Sequence, residues 1–497
     1  MTFMRNTIIS PKTILICAEY YLLVPVLLWL CGWFQPWLAY PLAAMLLAVV
    51  CWHTRQAFYS KNVSALPQPD SKPTSLLHLA VYVVLCAACV FLIGFDGRIV
   101  QSYDLIVRNP LYDEIIRQEW PVQMPDGRYV VYALMFWLPA GLLSSWFPAY
   151  SCVFLQLWCF LGMLLICLAL HSKLGVWRTL FFWGAILFVS PLTGTVDDVL
   201  NTVFIKDAVM GVHFRMPSPL TQFFNTFHYF IPTCLVLSVL MPRKCPLGSM
   251  ILIASCFAVL HPMIAATTIP FLLLMVYRDH CTDGLVSGIK GILSSVEIYP
   301  CLLLVAAALV FYGSVSGCWF AFTFNTPYAS EPDAFGVFCC IVSILLSMLL
   351  PLAVYWCNRN TYLLVTACLC PMLILIWYGA DNGVNEWMYK FSVLYGFVIA
   401  YSLASAPKSA RLCVVLGTIA LTSTIPFFRE MKRKDLPQAA KSMFSVQERN
   451  FRHEWAGTMF HPESPMYFPL TSDGLSVPGI FREGRQTSNL HGDAVPN

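Results

Sequence analysis

Charge is what this sequence has least of. Asp, Glu, Lys and Arg make up 11% of its 497 residues, where a soluble domain carries about 25%. That scarcity excludes an ordinary water-soluble fold. The net charge of +4 gives a nucleic-acid partner no electrostatic support. Short alternating segments are absent too, which excludes a membrane β-barrel. Cysteine is plentiful, at 20 residues, but missing where a disulfide framework would need it. None falls in 96–148, in 193–226 or after Cys413. Cys17, Cys86, Cys159, Cys256, Cys339, Cys340 and Cys368 lie in apolar runs, and Cys245, Cys281 and Cys357 in short basic connections. There Cys acts as a small hydrophobe. Neither Cys339-Cys340 nor Cys368/Cys370 has His at metal-ligand spacing. No small-residue cleavage site follows the first apolar run, which is expected to stay as a helix.

What is present is a series of apolar runs, each near the roughly 20 residues needed to cross about 30 Å of hydrocarbon. They predict an all-α integral membrane protein with about 13 transmembrane helices. The spans fall at 14–33, 36–52, 76–95, 149–170, 176–192, 227–241, 248–261, 263–278, 299–319, 334–356, 361–379, 388–406 and 411–427. Basic residues in 1–13 and in the Pro/Ser-rich linker 54–74 place both in the cytoplasm. Later turns with Lys173/Arg178, Arg243/Lys244, Arg278/Lys290, Arg359 and Lys408/Arg411 then fall on the same side. This holds only if 129–147, broken by Pro139 and Gly141, is an interfacial or re-entrant helix and not a span. Three regions result: a two-helix hairpin with its linker (1–74), a multi-helix membrane core (75–427) and a polar tail (428–497) expected outside the cytoplasm. His261-Pro262 reads as a turn between short helices. Glu19, inside the first span, reads as an acid accommodated at the headgroups or by a neighbouring helix.

The outer loops 96–148, 193–226 and 379–387 hold the candidate chemistry. Between Asp96 and Arg128 stand six of the chain's 26 acids (Asp96, Asp104, Asp113, Glu114, Glu119, Asp126) and four arginines. In a helix Asp104 and Arg108 share one face, which on its own describes a surface ion pair of small worth. Loop 193–226 adds Asp197-Asp198, His213 and Arg215, with His228 at the mouth of the next span. Each of these basic residues could contact a phosphate or simply anchor the interface. Two adjacent acids are compatible with a divalent cation, but no metal and no cofactor is assigned.

The stretch YDLIVRNPLYDEIIRQEWPV followed by RYVVYALMFWLPAGLLSSWF resembles a family of bacterial multi-pass proteins related to C-type, polyprenyl-phosphate-sugar-dependent glycosyltransferases. Its members read D-W-x-K-H-N-x-x-x-x-D-L before W-P-V, then a tyrosine-rich stretch leading to L-P-A. Asp104, Asn109, Glu114, Trp120-Pro121-Val122, Tyr129, Tyr132 and Leu138-Pro139-Ala140 occupy matching positions. Leu105 stands for the usual Trp, Arg108 for His, and Ser144-Ser145 for Gly-Lys. NEWMYKFS (385–392) resembles a second, outer-face N-D-x-x-M-R-x-S, with Lys390 near the usual Arg.

The resemblance implies a transferase moving a sugar from a lipid-phosphate donor to an envelope glycan, lipid or protein acceptor on the outer face of a bacterial inner membrane. Asp104 would be the base, with Asp96 competing for that role. Arg108 and Lys390 would hold phosphate, beside Asn109, Glu114, Trp120, Tyr129, Tyr132, His213, Arg215 and His228. A transporter or flippase of lipid-linked sugars, or a surface-polysaccharide polymerase or ligase, is the alternative. A transporter would carry ionisable residues within its spans.

Overall fold

A computed structural model describes residues 9–59, 72–95, 103–122, 130–131, 133–189, 191–192, 216–281, 284–313, 319–322, 334–379, 386–407, 409, 411–417 and 419. The chain is overwhelmingly helical. Among the described residues the helices are α1 (Pro11–Trp33), α2 (Pro36–Tyr59), α3 (Leu76–Ile93), α4 (Tyr103–Arg117), α5 (Leu138–Trp146), α6 (Ser151–Leu174), α7 (Val176–Phe188), α8 (Pro219–Asn225), α9 (Phe227–Leu240), α10 (Leu247–Leu260), α11 (Pro262–His280), α12 (Leu285–Ser294), α13 (Ile298–Gly313), α14 (Ala334–Asn358), α15 (Thr361–Leu375) and α16 (Glu386–Ser405). One antiparallel two-stranded ladder, β1 (Trp319–Phe322) with β2 (Ile376–Gly379), departs from the all-α reading.

Among the described residues, five helices are long and apolar enough to cross a membrane: Pro11–Trp33, Pro36–Tyr59, Leu76–Ile93, Pro148–Leu174 and Cys340–Asn358. A sixth span results if Val286–Ser294 and Ile298–Gly313, bent by 83°, count as one. These helices are consistent with a membrane protein.

Local chemistry sets the helix ends. Ser10 accepts from the Thr13 amide at 3.1 Å and Pro11 opens α1, the preferred start. Gly94 closes α3 at φ 85°, a conformation that favours glycine. α2 runs on to Tyr59, past the expected end at residue 52. Thr54 bonds back to the Val50 carbonyl at 2.8 Å, and no proline falls before Pro67 to stop the turn.

The most enclosed of these five long helices is α1, which packs on α2, α5, α6, α9 and α10. Close approach to α6 depends on Gly162, where a Cβ would overlap the Tyr21 hydroxyl and Ile231. Tyr21 stacks on Trp158 at 4.2 Å and donates to its carbonyl at 3.1 Å.

Polar contacts gather at two ends of the bundle. At the end holding the start of α1, the Lys72 amide bonds Ser172 O at 3.0 Å. Arg278 lies at the same end and donates to the carbonyls of Leu240, Met241 and Arg243 and to Tyr362 and Asp279. Arg278 thus caps the last turn of α9, whose carbonyls have no helical donors. Arg278→Met is expected to destabilise the fold by about 3 kcal/mol, read as a lower melting temperature in detergent. An unchanged melt would remove this capping role.

At the other end, α4 lies across α5. Gly141 makes that crossing possible, because a Cβ there would meet Ile115 at 2.6 Å. Tyr112 shares a 2.9 Å hydrogen bond with Ser144 and donates to Ser151 O at 3.0 Å. Burial pushes the Tyr112 phenol above its usual range, only partly offset by the Ser144 hydrogen bond, so it remains a neutral donor. With nine residues, α5 is about 14 Å long, too short to cross. The broken element expected at 129–147 is therefore present. Its first half is buried under α4, and its second half exposes Trp146 and Phe147.

Candidate functional site

The site is built where α4, α8, α9 and α16 meet. On α4, Arg108 and Asn109 are buried, at 9% and 5% exposure. Arg108 Nη1 donates to the Asn225 carbonyl at 2.9 Å, at the end of α8. This short helix starts on Ser218, which accepts from the Thr221 amide, and on Pro219. It stops at Thr226, whose hydroxyl turns back to Gln222. Gln222, fully buried, donates from Nε2 to Tyr389 O at 2.9 Å. That bond seats α8 on the first turn of α16, one residue before Lys390.

Lys390 is 3% exposed. Its ammonium lies 4.2 Å from the centre of the Tyr229 ring, a favourable cation–π distance. Next to Tyr229, the His228 ring lies 4.3 Å from Trp137 and 6.2 Å from His261. Tyr229 meets His261 edge-on at 4.7 Å. Arg108, His261 and Lys390 all act electrostatically on His228.

No family model, curated protein or solved structure matches this chain. What the arrangement can do therefore rests on its own chemistry. Two buried cations and two imidazoles, packed against Trp137, Tyr229 and Phe257, form a buried basic cluster, termed the recess. Such a recess suits a phosphate ester attached to an apolar or ring-bearing group.

Of the residues expected at the site, Arg108, His228 and Lys390 come together, with Asn109 next to Arg108. Glu114 lies on α4 and accepts from Gln118 at 2.6 Å. Trp120 packs on α1, tilted against Trp33 at 5.8 Å and close over Gly32, and donates to Ile115 O at 2.9 Å. Asp104 is in the first turn of α4. It is one helical turn before Arg108, as its spacing implied. Asp96, Tyr129, Tyr132, His213, Arg215 and Asp197-Asp198 lie outside the described residues, as does the tail from 420 onward.

Four residues of the recess were not expected there. Gln222, Tyr229 and Trp137 sit inside apolar or aromatic runs and carry no spacing signal. His261 is indeed the turn between α10 and α11, yet its ring is buried against Tyr229. The dense pattern Phe-Asn-Thr-Phe-His-Tyr at 224–229 was the available clue.

A second polar cluster lies at the opposite end. Glu19 on α1 has a fully buried side chain, and both its oxygens meet His53 Nδ1, at 3.1 and 3.0 Å. A neighbouring helix does accommodate this acid.

Proposed function

We propose that this protein is an integral-membrane glycosyltransferase of the C type. It transfers a sugar from a polyprenyl-phosphate-type donor to an envelope glycan, lipid or protein acceptor. One observation carries the reading: Arg108 and Lys390, from helices distant in sequence, are both buried beside the α8–α9 junction that carries His228, Arg108 on the Asn225 carbonyl and Lys390 over the Tyr229 ring. Two cations brought to one junction make a setting that favours an anionic group. The donor's phosphate would sit there, and Arg108 and Lys390 would stabilise charge developing on it as the glycosidic bond breaks. Asp104 would take the acceptor hydroxyl's proton, with Asp96 the other candidate, giving inversion by direct displacement.

The proposal includes about 13 spans, with the four shorter apolar helices Val176–Phe188, Phe227–Leu240, Leu247–Leu260 and Thr361–Leu375 crossing as well. The end carrying Arg243, Lys244 and Arg278 would be cytoplasmic. The recess would then face outward from a bacterial inner membrane.

Asp104→Asn in the native host tests the base. Membrane abundance should stay constant while one surface glycan feature disappears and its lipid-linked donor accumulates, read by mass spectrometry. An unchanged profile, where full deletion shows a defect, would sink Asp104.

A second reading, a transporter of lipid-linked sugars, is favoured by the ionisable Glu19 and His53 within α1 and α2. The same profile separates the two. A transporter variant would leave the donor on the inner leaflet, whereas a transferase variant would leave it flipped and unused.

A further inference from the structure

The cluster around His53 is not needed by the transferase reading, and its geometry stands by itself. His53 belongs to α2, Glu19 to α1, and Glu297 to the short connection where α12 breaks sharply into α13. The imidazole is held on both sides. Nδ1 meets both Glu19 oxygens, at 3.0 and 3.1 Å, and Nε2 meets Glu297 Oε1 at 3.3 Å. Glu19 is fully enclosed, His53 is 7% exposed, and Glu297 is 17% exposed. Ser295 donates to the other Glu297 oxygen at 2.5 Å. The three groups therefore run in order from a partly accessible acid, through an imidazole, to a sealed acid.

Proton counting limits what this chain can be. A carboxylate accepts but cannot donate, and each ring nitrogen either donates or accepts. Holding both sides of the imidazole at once takes two protons. They are either both on His53 between two carboxylates, or one on His53 and one on a carboxylic acid. Both arrangements have the same net charge, so a proton passes along the chain without moving charge into the bundle. A third proton, on the remaining carboxylate beside an imidazolium, brings the cluster to neutrality, which burial favours.

The side chains acting on His53 are the two acids, Glu19 and Glu297. On α10 and in the turn before it, the titratable groups coupled to Glu19 are the thiols Cys256 and Cys245. On α13 the group coupled to Glu297 is the thiol Cys301. On α1 and α2, Tyr20 and Thr54 share a 3.3 Å hydrogen bond beside the pair. Arg55 stands two residues beyond His53 on α2, beside Tyr20 and Thr54, and on α11 the Arg278–Asp279 pair acts on Cys245. Gly248 on α10 completes the wall. A Cβ there would meet Glu297 Oε1 at 2.5 Å and His53 Nε2 at 3.0 Å.

We infer that Glu19, His53 and Glu297 form a proton-binding relay, entered from solvent at Glu297 and ending at Glu19, that latches the α12–α13 bend onto α2. In the transfer step, Glu297 gives its proton to His53 Nε2 while the Nδ1 proton passes to Glu19. Water then reprotonates Glu297. The imidazole stays neutral with its proton now on Nε2, and one proton has been stored at Glu19. Glu297 gives the bend its hydrogen bond to His53, so the proton count bears on how firmly the bend is held, alongside the packing of α13 on α2.

The test uses the full-length protein in lipid nanodiscs. Infrared difference spectra across about pH 5 to about pH 9 should show the carbonyl stretch of a buried carboxylic acid growing as pH falls. Glu19→Gln should remove that band. No titrating band in the wild type, or an unchanged band in E19Q, overturns the relay. Should E19Q fail to fold, Glu297→Gln is nearly isosteric and partly exposed. Amide exchange of 285–298, corrected for intrinsic rates, should change about tenfold over the same range in the wild type and lose that dependence in E297Q. Retained wild-type dependence in E297Q overturns the latch.

Discussion

Under the proposed transferase function, Lys390→Met is expected to reduce sugar transfer by about 100-fold or more, the usual cost of losing one charge that stabilises a transition state, while the protein still reaches the membrane. The argument is geometric. Lys390 is held at the recess by two separate contacts of its own helix, the bond from Gln222 to Tyr389 O and the Tyr229 ring under its ammonium. Methionine keeps much of the stem's volume and its packing. The change therefore removes charge and leaves the wall in place. The cation–π contact itself is worth about 0.5–2 kcal/mol, so its loss lowers stability only modestly. Lys390→Arg should recover part of the activity, because it restores charge on a longer and planar group. Quantifying the lipid-linked donor and the finished glycan in cells carrying each variant checks both. Wild-type transfer in Lys390→Met would remove phosphate binding from this residue.

The second large effect is expected from a glycine with no chemistry at all. Gly396→Ala should lower activity about 100-fold and destabilise the bundle by about 1–3 kcal/mol. Gly396 lies on α16, and a Cβ there would overlap the Pro219 ring of α8. Pro219 opens a helix of seven residues that has no room to bend. Pushing it outward moves Gln222 from Tyr389 and Asn225 from Arg108 together. Both cations of the recess would lose their fixed positions through one methyl group. A detergent melt paired with the glycan profile reads the two effects separately. A normal melt with normal transfer would show that α8 does not position the recess.

The long spans were legible because an apolar run near 20 residues has few other uses. So was the broken element at 129–147, from Pro139 and Gly141. The sequence also placed Asp104 and Arg108 on one helix, and α4 bears that spacing. It gave Arg108, His228 and Lys390 as separate candidates, but no periodicity says that three distant stretches share a recess. Gln222, Tyr229 and Trp137 could not be found in advance, because inside an apolar run a site residue has the same pattern as a packing residue. The extension of α2 to Tyr59 was lost for the opposite reason. Thr54, Arg55 and Gln56 look like a polar linker, although a polar turn continues a helix readily when nothing breaks it. The meeting of Glu19, His53 and Glu297 depends on the 83° bend before α13, which only tertiary packing reveals.

The helix α10 has 14 residues and is about 21 Å long. Its first turn, at Gly248, rests against His53 and Glu297, and its last residue hands the chain to His261 in the recess. Its hydrogen bonds run along its axis, so it does not shorten unless a turn breaks. It therefore acts as a spacer that holds the two polar clusters a fixed distance apart.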